Sequence, residues 1–220
     1  MSVEDKARYG RACLLVLNTC PVGLRRVIEH DYTTRGFTGF EAYLGDHSNK
    51  HQLFHLRFQK CCLVHCTYTN KSTPLRTEQW DLLYSETLTR NPHRDRGKCP
   101  CMYTAIPGVT THVMDVTLCC LLLRNICPGV NISHIEDICT VRNQLLHARS
   151  ATLDEQSFNV AWNKVETALL SLASSTSASF QSELKNTIQE TQSGFCDLSN
   201  IESLMAHERR LENVEEVRNL

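Results

Sequence analysis

Phe158, Trp162, Val165, Leu169 and Leu172 recur at intervals of four, three, four and three residues, a spacing that only a helix gathers onto one face. A stripe this apolar has to be buried against a second helix. Thr152 with Glu155 has the form of a capping box and marks its start. The preceding segment supplies a partner. Ser133 and Glu136 read as another capping box, and Ile135, Ile138, Leu145 and Leu146 give it a buried stripe. With only Arg149–Ala151 as a connection, the two helices are expected to pack antiparallel.

The rest of the chain repeats the pattern. Ser2 and Asp5 cap a first helix carrying Tyr9, Ala12, Cys13, Val16 and Leu17, which is expected to stop before Pro21. A second holds Leu24, Val27 and Ile28 and ends by the turn at Thr33–Gly36. Thr38 and Glu41 predict a short helix through Tyr43 and Leu44, broken at Gly45. Ser48 opens one with Leu53, Phe54, Leu56 and Phe58, and Thr77–Tyr84 forms another with Trp80, Leu83 and Tyr84 inward. Asp115 caps the most apolar segment, Val116–Ile126, which Pro128 and Gly129 terminate. Apolar nearly all round, it reads as the central buried helix, with Cys119 and Cys120 as core thiols. Strand signals are scarce, and Ser85–His112 reads as a long loop. The fold class is therefore all-α.

Near the end of the helix that begins at about Ser133 stands Arg142-Asn143-x3-His147. Asn143 and His147, four apart, share a helical face, and Arg142 lies one position round. The carboxamide suits orientation of the ring, the guanidinium suits bidentate contact with phosphate oxygens, and the imidazole trades a proton near neutral pH. With 16 Arg, 13 Asn and 10 His in 220 residues, Arg-x4-His alone is expected roughly 0.7 times by chance, and the Asn lowers this to roughly 0.04. A structural role for Arg142 and His147 at a helix C-terminus competes with the catalytic one.

Twelve cysteines are the compositional outlier. No apolar run approaches the roughly 20 residues of a membrane helix, and Leu14–Leu17 is too short for a signal peptide. The chain thus reads as cytoplasmic, where cysteine clusters favour metal or buried thiols over disulfides. Cys62, Cys66, Cys99 and Cys101 are candidate ligands of one structural zinc, with Cys61 and His65 as equally spaced rivals. Unliganded thiols are the competing reading. The basic stretch Arg90–Lys98 is a solvated loop or a local phosphate contact. A net charge of −1 leaves no global field toward nucleic acid.

Arg142-Asn143-x3-His147, together with Asp137-Ile138-Cys139, Leu24-Arg25-Arg26, Trp80-Asp81-Leu82-Leu83-Tyr84, and Asp115-Val116-Thr117-Leu118 followed by Leu123-Arg124-Asn125-Ile126-Cys127, resembles the HEPN domain (higher eukaryotes and prokaryotes nucleotide-binding). It is most similar to the subfamily found in the DAZ-interacting zinc-finger ubiquitin ligase and in invertebrate innate-immune-like proteins. The resemblance covers most of residues 4–173. It does not cover the cysteine pairs or the C-terminal tail. It implies a helical bundle, and the chain is read as such a domain over 1–173, with the cysteine-rich segment 61–101 within it, followed by a helical tail or linker at 174–220. It further implies a homodimer in which two motifs face each other. Such dimers either cleave RNA without metal, through Arg142, Asn143 and His147, or serve as RNA-binding or homotypic adaptor modules in immune or ubiquitin signalling. Residues 174–220, with stripes of Phe180, Leu184 and Ile188 and then Leu198, Ile201, Met205, Leu211 and Val214, are expected to bind a protein partner or each other.

Overall fold

In the computed structural model the described residues are 2–59, 61, 66, 73–93, 97–194, 201, 203, 205 and 206. They form α1 (Val3–Leu14), α2 (Cys20–Thr34), α3 (Phe40–Gly45), α4 (His47–Arg57), α5 (Thr77–Leu83), β1 (Tyr84–Glu86), β2 (Tyr103–Ala105), α6 (Val116–Ile126), α7 (Ile132–Leu146), α8 (Glu155–Ala173) and α9 (Ala178–Ser193). Among the described residues the architecture is all-α apart from one two-stranded sheet. Contacts divide the chain into one unit of residues 1–27 and 130–220 and another of residues 28–129.

In the first unit Ser2 and Asp5 close their capping box and start α1 as the sequence predicts. The helix does not stop before Pro21. It passes through a π-helical turn, Leu15–Thr19, in which the Cys20 N–H donates to the Leu15 carbonyl, and continues as α2. Pro21 lacks an N–H and its ring crowds the carbonyl four residues back; a widened turn just before it accommodates both defects. The α7–α8 pair is antiparallel as expected: Lys164 Nζ meets Asp137 Oδ1 at 2.9 Å, early in α7, while Leu145 and Ala148 at its end line a cleft with Leu153 and Ser157. Phe158, Trp162, Val165, Leu169 and Leu172 are all buried. α1 is bound to this pair at two points. The Tyr9 hydroxyl donates to the Leu145 carbonyl (2.9 Å) and the Leu153 N–H to that of Asp5 (3.0 Å). α9 also packs in this unit with Leu184 and Ile188 buried. A Cβ on Gly23 would lie 2.7 Å from Leu169 Cδ1, so any larger residue between α2 and α8 there would have to displace the Leu169 side chain.

The predicted caps shift in four places. α3 begins after Gly39 without a side-chain cap, and the Glu41 carboxylate accepts from the Gly108 N–H instead. Asp46, Asn131 and Asp154, rather than Ser48, Ser133 and Thr152, accept from the first-turn N–H groups of α4, α7 and α8. Asp and Asn present an sp² oxygen at the reach an N-cap requires and rank at or above Ser and Thr there.

In the second unit Asp115 caps α6 as predicted, its Oδ1 accepting from the Leu118 N–H at 2.6 Å. Its other oxygen holds Arg76 at 3.2 Å. Cys119 and Cys120 are buried. Ser85–His112 is not wholly irregular: β1 and β2 pair antiparallel with Tyr84 opposite Ala105 and Glu86 opposite Tyr103. Three-residue strands are too short to show an alternation in sequence. Phe58 lies past the end of α4 in extended backbone, where it stacks on Tyr103 in a cluster with Phe54 and Trp80.

Candidate functional site

The motif residues stand at the C-terminal end of α7, but they divide between its two faces. Asn143 and His147 are exposed, and the His147 N–H closes the helix on the Asn143 carbonyl at 3.0 Å. Arg142 is only 5% exposed, and its Nη1 donates to Asn143 Oδ1 at 3.1 Å. The carboxamide that the sequence assigns to the imidazole thus also holds the guanidinium. Arg142 is inside because it follows Ile135 and Ile138 and precedes Leu145 at three- and four-residue steps, in register with the buried stripe. Arg149, two residues past His147, is an exposed cation that the motif does not include. Beside the motif, a cleft of about 500 Å³ is lined by Gln144, Leu145, Ala148, Leu153 and Val160, the last 63% exposed.

Among the described residues, four cysteines fall into two groups with histidine, Cys61 and Cys66 in one and Cys99 and Cys101 in the other. His51 and His55 share one face of α4, four residues apart, with Nε2 atoms 3.2 Å from each other. Cys66 Sγ stands 3.1 Å from His55 Nε2 and 3.6 Å from His51 Nε2, and Cys61 Sγ 3.4 Å from His51 Nε2. Burial, and then the neighbouring imidazole, holds both rings below the usual histidine range, in the neutral form a metal ligand needs. The second group is His93, Cys99 and Cys101, three donors within 4.8 Å of one another. Of the cysteines proposed from sequence, Cys66 lies in the first group and Cys99 and Cys101 in the second; Cys61, a rival there, joins Cys66. Cys62 and His65 lie outside the described residues, as do Arg94 and Arg96 of the basic loop. His51, His55 and His93 escape the sequence reading, although His-x3-His on a helix six residues ahead of the first cysteine was a usable signal.

Arg-Asn-x3-His at the end of α7, in an antiparallel pair with α8, is the HEPN arrangement. The chain belongs to the DZIP3/hRUL138-like HEPN family, which it matches over residues 59–193. That stretch starts later than the resemblance read from sequence and runs on through α9. No curated protein and no solved structure matches the chain. No helix among the described residues is long and apolar enough to cross a membrane.

Proposed function

We propose that the chain is an RNA-directed HEPN module that acts as a symmetric dimer, with His147 of each copy at a shared cleft. The observation that carries this reading is the exposure of Asn143 and His147 at the end of α7, with Arg142 anchored directly behind them. Metal-free transesterification of RNA requires a general base and a general acid, and two imidazoles can supply both. One takes the proton of a ribose 2′-hydroxyl as its oxygen forms a bond to the adjacent phosphorus. The other gives a proton to the 5′-oxygen as the P–O bond breaks, leaving a 2′,3′-cyclic phosphate. Arg142 is here a positioning residue acting through Asn143, and Arg149 supplies exposed positive charge for the backbone.

The test is incubation of the purified protein with mixed-sequence RNA and chelator beside His147→Ala, Arg149→Ala and Arg142→Lys, with circular dichroism to verify folding. Cyclic-phosphate ends lost in His147→Ala and weaker RNA binding in Arg149→Ala are expected. A second reading, a homotypic adaptor that performs no chemistry, is favoured by the burial of Arg142 and by the cleft with exposed Val160 alongside. Absence of both cleavage and RNA binding, with self-association retained, would decide for it.

A further inference from the structure

The donor atoms of His51, His55, Cys61 and Cys66 all lie within 4.8 Å of one another. A tetrahedral zinc with bonds of about 2.0 Å to nitrogen and about 2.3 Å to sulfur separates its ligands by about 3.3 Å (N to N) and about 3.5 Å (N to S). The observed separations are 3.2 Å between the two nitrogens and 3.1, 3.4 and 3.6 Å between nitrogen and sulfur. Four lone-pair donors therefore stand close to the corners of one tetrahedron. Hydrogen bonding accounts for this less well, since His51 Nε2 has three neighbours, His55 Nε2, Cys61 Sγ and Cys66 Sγ, but offers only one proton or one lone pair. His55 and Cys61 are buried at 2% and 4% exposure, with His51 and Cys66 half-buried beside them.

We propose that His51, His55, Cys61 and Cys66 form a structural Cys2His2 zinc site. All four positions of the metal are taken by protein, so the site is closed and does no chemistry. Two ligands are fixed in advance by their spacing on α4, one helical turn apart. The other two come from the connection beyond it, whose far end is tied down where the Leu75 N–H donates to the Leu56 carbonyl at 3.0 Å. Zinc thus closes the chain from His51 to Cys66 directly beside the cluster of Phe54, Phe58, Trp80 and Tyr103. This inference is independent of the RNA reading, because neither Arg142 nor His147 takes part.

The experiment uses the full chain, purified after expression with zinc and then exchanged into cobalt(II), whose visible bands report tetrahedral thiolate coordination. About one zinc per chain is expected, with cobalt bands abolished in His55→Ala and in Cys61→Ser. They should persist in Cys62→Ser, His65→Ala and the double variant Cys99→Ser/Cys101→Ser. Chelation of the unmutated protein should lower its thermal midpoint by about 10 °C or more, with recovery on adding zinc but not magnesium; this arm holds even if the ligand variants do not fold. The proposal is overturned by folded protein without tetrahedral cobalt bands, by an unchanged midpoint after metal removal, or by bands that survive His51→Ala and His55→Ala but vanish in the Cys99/Cys101 variant.

Discussion

Nη1 of Arg142 donates to Oδ1 of Asn143, its neighbour in the chain, at 3.1 Å, so a buried guanidinium is anchored by a side chain on the exposed face of the same helix. Asn143 is therefore predicted to matter for stability despite its exposure. Asn143→Ala removes an acceptor from a buried charge and should cost about 1–3 kcal/mol, whereas Gln144→Ala, also exposed, should fall within about 0.5 kcal/mol of zero. Denaturant unfolding of the two variants checks this, and equal effects would show that the bond contributes nothing.

Gly23→Ala sets two effects against each other. Alanine favours a helix over glycine by about 1 kcal/mol, but the new methyl would stand 2.7 Å from Leu169 Cδ1 and 3.2 Å from its Cγ in a closed core. Overpacking of this kind costs about 1–3 kcal/mol, so the variant should be less stable overall. Measuring Gly23→Ala in a Leu169→Ala background separates the terms: there the substitution should become neutral or favourable.

Alkaline unfolding should begin around the link between Tyr43 and Cys127. The Tyr43 hydroxyl lies 2.8 Å from Asp31 Oδ2, 2.9 Å from the Ile126 carbonyl and 3.3 Å from Cys127 Sγ. Burial pushes the Cys127 thiol up to about 12, and it raises the Tyr43 phenol as well, with Cys127 adding to the effect. Both folded values lie above those of the unfolded chain. The stabilisation is therefore complete below the unfolded thiol value of 9.0 and is lost as pH rises toward about 12. Unfolding free energy should fall between pH 9 and 12 by up to about 1.4 kcal/mol per pH unit for each group. Cys127→Ala should flatten the slope; an unchanged slope would remove the thiol from the account.

Much of this fold is legible from single residues. Ser2 and Asp115 announce their helices because each cap is satisfied within four residues of chain, and the Phe158–Leu172 seam is a local periodicity. What stays hidden depends on distant partners. Tyr84–Glu86 becomes a strand only because Tyr103–Ala105 arrives beside it. The cap at Asp154 rather than Thr152 is settled by side-chain reach, which spacing rules do not encode. At the motif, helical spacing correctly sets Arg142 one position away from Asn143 and His147. The same spacing puts it in step with Ile138 and Leu145, and its burial follows from that register. The first cysteine group is half legible: the thiols stand out by number, whereas His51 and His55 look like ordinary polar residues of α4 until Cys61 and Cys66 stand beside them.

The π turn at Leu15–Thr19 carries one residue more than an α-helical turn over the same path, so the opening segment contains an insertion written into its geometry. Because the extra residue is absorbed within one turn, the helix on either side keeps its phase, and Tyr9, Ala12, Cys13 and Leu24 are all buried. Deleting one of those five residues would restore regular winding and leave the flanking faces where they are, whereas the same deletion within α1 would turn everything before it by about 100°. A single-codon deletion should therefore be better tolerated inside this turn than in the regular helix beside it.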